Sequence, residues 1–105
     1  MGTYLMFGSY NSDSLKEISP ERTDEAEEII QENGGLLKVG YAMLGEYDLV
    51  LIVSFPDDST AIKTSAELSR LLGISFSTSP AINIEELDYQ FFFDKLEDDF
   101  LEDEI

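Results

Sequence analysis

"LGEYDLVLIVSFPDD", residues Leu44 to Asp58, holds a turn, a strand and a helix start in succession. Gly45-Glu46 fits a two-residue type II′ hairpin turn, which takes glycine at its first central position. Tyr47–Phe55 then reads as a strand, because its residues are mostly the β-branched, aromatic and aliphatic types that fill pleated surfaces. Pro56 stops the strand, since it has no N–H for a ladder. Asp57 or Asp58 is placed to cap the helix that follows.

A hairpin needs a preceding partner, and "LLKVGYAMLG" (Leu36–Gly45) supplies it. A two-residue turn sets Met43 opposite Asp48 and Tyr41 opposite Val50. One face then carries Leu36, Lys38, Gly40, Ala42, Leu49, Leu51, Val53 and Phe55, small residues beside large ones, and suits helices. The other carries Leu37, Val39, Tyr41, Met43, Asp48, Val50, Ile52 and Ser54. Alternation sends Tyr47 to the helix side and Asp48 to the opposite face.

Outward from the hairpin, "TYLMFGSY" (Thr3–Tyr10) reads as the first strand and "NSDS" as a turn. Ser19 is the N-cap of a helix with Pro20 at its first position. Its early acids Glu21, Asp24 and Glu25 suit the positive end of the dipole. Ala26, Ile29, Ile30 and Asn33 lie at helical spacing, and Gly34 or Gly35 takes the left-handed position after the end. The helix after Asp58 shows the stripe Ala61, Ile62, Ala66, Leu68, Leu72 and closes at Gly73. "ISFSTS" (Ile74–Ser79) alternates as a half-buried strand. "PAINIEEL" reads as extended or irregular. From Asp88 on, Phe92, Phe93, Leu96 and Phe100 fall at helical spacing.

The order strand, helix, strand, strand, helix, strand is the α+β ferredoxin-like βαββαβ arrangement. Right-handed crossovers put both helices on one face of a four-stranded antiparallel sheet, with strands one and three central. The organisation is a domain over 1–88 and an acidic C-terminal helical tail over 89–105. The apolar second face of the sheet has no layer to cover it, and such faces mark interfaces. A second copy packed sheet to sheet, two-fold related, satisfies it.

Composition narrows the function. The 105 residues contain neither cysteine nor histidine. That excludes disulfides, thiol catalysis, Cys-ligated metal, His-ligated haem and the commonest general base. A net charge of −17 repels phosphate backbones and anionic membranes, so neither nucleic acid nor membrane is an expected partner. Residues 85–105 hold ten acids against Lys95 alone. A salt-adapted source would give the same acidity. The tail acids Glu97, Asp98, Asp99, Glu102, Asp103 and Glu104 lack the calcium-loop pattern with its central glycine. No cofactor or metal is expected. The amino terminus lacks a signal-peptide pattern, and a cytoplasmic location is expected.

The chain resembles the GYD-domain proteins. The resemblance rests on "GEYD" (Gly45–Asp48) leading into an apolar strand that ends at "PDD" (Pro56–Asp58), on Gly34-Gly35 before the second strand, and on Arg22 early in the first helix. It covers about residues 3–86. It implies a dimeric α+β barrel. The superfamily includes cofactor-free monooxygenases, isomerases, haem enzymes and ligand-sensing regulatory domains, so it fixes fold more than function. Ser54 stands where the family pattern carries an acid, and the tail after residue 88 departs from the family.

The candidate site residues are Asp48, Tyr41, Ser54 and Arg22, with Gly45, Glu46 and Tyr47 as the turn motif. Asp48 beside Val50 and Ile52 is either a carboxylate at an apolar cavity or an acceptor for turn N–H groups or for Arg22. Tyr41, with Tyr4 or Tyr10, either donates to a ligand or packs in the dimer. Arg22 either binds an anion or forms a surface ion pair, and Tyr47 packs with its hydroxyl at the rim. One reading is a homo-oligomeric small-molecule-binding or structural module that takes a small hydrophobic ligand and uses no catalytic motif. The other is a cofactor-independent monooxygenase- or isomerase-like enzyme with Asp48 as acid/base and Tyr41 as donor. A third gives the Phe92/Leu96/Phe100 tail an assembly role, docked on its own dimer or a neighbouring one.

Overall fold

The computed structural model describes the backbone of residues 1–103 and their side chains, except those of Ser14 and 97–103. Eight elements follow in order: β1 (Gly2–Tyr10), α1 (Ser12–Leu15), α2 (Pro20–Glu32), β2 (Leu36–Ala42), β3 (Leu49–Phe55), α3 (Asp58–Leu72), β4 (Ile74–Ala81) and α4 (Ile84–Asp103). The sheet order is β2-β3-β1-β4, with each pairing antiparallel, so strands one and three are central as the pattern predicts.

Local chemistry sets the element ends. Ser19 Oγ accepts the Arg22 N–H at 3.2 Å and Pro20 opens α2. Such a cap is worth about 1 kcal/mol. Gly34 takes φ +79 just past α2, where a Cβ would be strained. The doublet "PDD" divides its labour. Asp57 caps α3, accepting the Thr60 N–H at 2.8 Å and the Thr60 hydroxyl at 2.7 Å. Both bonds hold its carboxyl below the usual carboxylate range. Asp58 is left free to face β1. Gly73 ends α3 at φ 70.

The core lies between the sheet and α2 and α3. Met6, Ile30, Val53, Phe55 and Leu68 are fully buried, with Tyr4, Leu51, Ala61, Leu72 and Ile74 around them. Each large apolar side chain contributes about 1.5–3 kcal/mol on burial. The α3 stripe differs from the expected one. Ile62 and Ala66 face solvent, while Thr64 is fully buried. Thr64 survives there because its hydroxyl donates to the Thr60 carbonyl at 2.8 Å.

Three further expectations are corrected. "NSDS" forms the short helix α1, with the Leu15 N–H donating to the Asn11 carbonyl. "PAINIEEL" splits between the end of β4 and the start of α4, which begins at Ile84 rather than Asp88. The hairpin keeps the expected Tyr41–Val50 register, but a bulge between Leu37 and Val39 shifts what precedes it. Leu37 therefore packs on the core beside Val53, and Leu36 moves to the open face. The extra residue, Lys38, reaches Thr3 Oγ1 at 3.4 Å.

The helix α4 carries the apolar spacing read from the sequence, and its side chains from Ile84 to Leu96 are exposed. The side chains of Phe100 and of the tail acids Glu97, Asp98, Asp99, Glu102 and Asp103, and the whole of Glu104, lie outside what is described.

Candidate functional site

The "GEYD" segment is a six-residue loop from Met43 to Asp48, not a two-residue turn. Gly45 sits at φ +139, a region that L side chains rarely adopt, with open space around it. Glu46 is exposed at the tip. Asp48 is tied on three sides. Its N–H donates to the Gly8 carbonyl at 2.8 Å, its carbonyl accepts from Met43 at 2.7 Å, and its Oδ2 accepts the Tyr10 N–H at 2.9 Å. Tyr47 departs from the expected helix-side placement. Its ring meets Phe7, a residue of the open face, with centroids 5.3 Å apart. The strands end at Ala42 and Leu49, so both residues are released from strand alternation although the register is unchanged.

Arg22 joins α2 to the end of α3. Its Nη2 donates to the Leu72 carbonyl at 2.8 Å, where the helix dipole favours a cation. Glu17 and Glu25 lie 3.5 and 3.8 Å from its guanidinium. A narrow cavity of about 60 Å³ opens beside it, walled by Leu37, Leu49, Leu51, Ile74 and Phe76 and edged by Tyr10. That volume holds about two waters. Burial raises the Tyr10 phenol, Asp48 adds to the rise, and Arg22 opposes it.

The open face is built in cross-strand rows. Ser79, Leu5, Ile52 and Val39 form one, and Ser77, Phe7, Val50 and Tyr41 the next. The predicted Ser54 lies in a third, between Thr3 and Leu36. Tyr41 is exposed at its edge, whereas Tyr4 and Tyr10 turn to the helix side, so neither joins it. Among the described residues no hydrogen bond links Tyr41 with Asp48.

A larger hollow of about 770 Å³ lies at the far end of the sheet, among Thr3, Tyr4, Lys38, Asp58, Pro80 and Glu86. Tyr4 donates its hydroxyl to Asp58 Oδ1 at 2.5 Å. That bond, then burial, then the charges of Asp58 and Asp57 push the phenol up to about 12. Lys38 faces the same hollow. The volume falls in the ~300–1,000 Å³ range of small-molecule sites. Sequence reading missed this grouping, although "PDD" with a lone base on the second strand was its only local trace. Among the described residues no helix is long and apolar enough to cross a membrane, and no cluster of three or more acidic side chains could hold a metal ion.

The family model for the GYD domain matches residues 4–89, and the chain belongs to that family. Among curated proteins none matches the chain. Two of the solved structures that share its fold are regulatory proteins. One is the leucine response regulatory protein of Mycobacterium tuberculosis, at 11% identity and TM-score 0.52, covering 78% of this chain and 51% of that one. The other is an AsnC family transcriptional regulator from Agrobacterium tumefaciens, at 20% identity and TM-score 0.51, covering 77% of this chain and 50% of that one. The chain thus spans about half the length of each.

Proposed function

We propose that this GYD-domain chain is a self-associating, non-catalytic module that binds a small molecule. The observation that carries the reading is the engagement of Asp48. A carboxylate that accepts a main-chain N–H at 2.9 Å, from the last residue of β1, is a structural acceptor. An acid/base at an open pocket would instead be free to face substrate. Tyr41, the donor of the enzymatic alternative, sits apart from it.

Self-association is supported by the uncovered rows of Leu5, Phe7, Val39, Val50 and Ile52. The ligand is assigned to the hollow beside Tyr4, Lys38 and Asp58, because the cavity beside Arg22 is too small for more than a fragment. One of the two is named a leucine response regulatory protein and the other a transcriptional regulator, and their likeness here extends to the fold. Ligand sensing by this chain is consistent with that likeness, and a cytoplasmic location with the reading as a whole.

Native mass spectrometry of protein purified from its source tests the reading in one measurement. A species of twice the 11.8 kDa chain mass, carrying a small adduct that gentle activation releases, is the expected result. A bare monomer would overturn it.

A further inference from the structure

α4 is long and exposed along its described side chains, with one apolar stripe from Tyr89 to Leu96 and further apolar side chains, Leu87 and Phe91, on the opposite side. Twenty residues at about 1.5 Å each make a rod of about 30 Å. The chain accordingly extends 66 × 30 × 18 Å, with a radius of gyration of 18.3 Å. A compact chain of this length has about 13 Å. Tyr89, Phe92, Phe93 and Leu96 follow the i, i+3, i+4, i+7 spacing of a single stripe. They are 62%, 58%, 45% and 46% exposed. Their rings already gather, Tyr89 on Phe93 at 4.5 Å and Phe92 on Phe93 at 6.1 Å, both edge to face. At 100° per residue Asp88, Asp94 and Lys95 fall outside the arc of the stripe.

We infer that α4 is an arm that seats Tyr89, Phe92, Phe93 and Leu96 on a second copy of this chain. The inference rests on the self-association proposed above, and the area of the open face argues for it. Strands of about eight residues are ~25 Å long, and four of them span ~19 Å, so each face offers roughly 500 Å². Two such faces bury about 1,000 Å², short of the ~1,200–2,000 Å² of a stable specific interface. An aromatic side chain buries ~150–250 Å² in full, so a half-exposed stripe of four adds roughly 400 Å² per arm. Two arms, exchanged about a two-fold axis, bring the total to about 1,800 Å², inside the usual range. The alternative occupants fit less well. A charge of −17 repels anionic lipid and nucleic acid alike.

The test uses the full chain with Tyr89→Gln, Phe92→Gln, Phe93→Gln and Leu96→Gln together. Glutamine keeps helix propensity and solubility while removing the apolar stripe. Sedimentation equilibrium compares it with the unaltered chain. The expected result is a dimer dissociation constant raised about tenfold or more, with the far-ultraviolet circular dichroism preserved. A variant that dimerises as tightly as the unaltered chain would overturn the arm and leave the dimer intact. Monomers from both chains would overturn the dimer and the arm together. Flotation with neutral phosphatidylcholine vesicles separates the remaining case. If the unaltered chain floats, the variant does not, and both dimerise equally, the stripe is a lipid contact and the inference fails.

Discussion

Asp48 Oδ2 accepts the backbone N–H of Tyr10 at 2.9 Å, so the loop before β3 is fastened to the last residue of β1. The bond spans 38 residues. Asp48→Ala leaves that half-buried N–H without its partner, which costs about 1–3 kcal/mol. Asp48→Asn keeps an acceptor oxygen and is expected to lose well under half as much. Urea unfolding followed by circular dichroism measures both. Equal losses would mean that the carboxylate's charge, not its acceptor, matters at this position.

The Tyr4–Asp58 bond gives the protein an alkaline limit. The Tyr4 phenol is pushed up to about 12, first by its hydrogen bond to Asp58. A raised phenol binds its proton more tightly folded than unfolded. Its stabilising share is therefore complete below pH ~10, the ordinary tyrosine value. It is lost as pH rises through about 12. Tyr4→Phe should remove the highest tyrosinate step from an ultraviolet absorbance titration. Asp58→Asn should move that step down instead. A titration unchanged by both variants would contradict the assignment.

What the sequence made legible was local. Ser19, Pro20, Gly34, Pro56 and Gly73 punctuate the chain through bonds and dihedrals within a few residues, and each stands where its chemistry requires. Strand order followed from that punctuation and from handedness. The bulge at Lys38 was not legible, because Leu36 and Leu37 are equally apolar and only the packed core chooses between them. The length of the Met43–Asp48 loop was hidden for a related reason. Gly45-Glu46 satisfies a two-residue turn locally, while the Asp48–Gly8 and Asp48–Tyr10 bonds that extend the loop come from a strand far along the chain. The Tyr4–Asp58 pair, 54 residues apart, was equally out of reach. Thr64 was missed because a hydroxyl in a core is invisible until its Thr60 acceptor is seen.

Gly35 permits the close approach of β2 to the core. A Cβ built there would lie 2.6 Å from Phe55 Cε1 and 2.9 Å from Ile30 Cγ2, both in fully buried side chains. Gly35→Ala forces one of them to move in a filled core, at about 1–3 kcal/mol. For a domain of this size that lowers the melting temperature by roughly 4–8 °C per kcal/mol. Gly45→Ala meets open space and suffers only from its φ of +139. Its loss is expected at about 1 kcal/mol. Thermal unfolding of the two variants should therefore rank Gly35→Ala as the more damaging. The reverse order would show that β2 has room to shift.

Ile52 and Val53 are adjacent in β3 and point to opposite layers, which makes them a matched pair for testing the open face. Val53 is fully buried against the helices, whereas Ile52 lies half-buried between Leu5 and Val39. Val53→Glu places a charge in the core and should unfold the domain. Ile52→Glu leaves that core untouched, so a monomer keeps its fold with a loss within about 1 kcal/mol. In a sheet-to-sheet dimer the same glutamate is buried near its own symmetry mate. An unpaired buried charge costs about 3–5 kcal/mol. The expected outcome is a folded Ile52→Glu monomer by sedimentation velocity and circular dichroism, beside a dimeric unaltered chain. An Ile52→Glu protein that dimerises like the unaltered chain would place the interface elsewhere, since no two-fold packing of the face can keep the rows of Leu5, Ile52 and Val39 in contact while excluding their central residue.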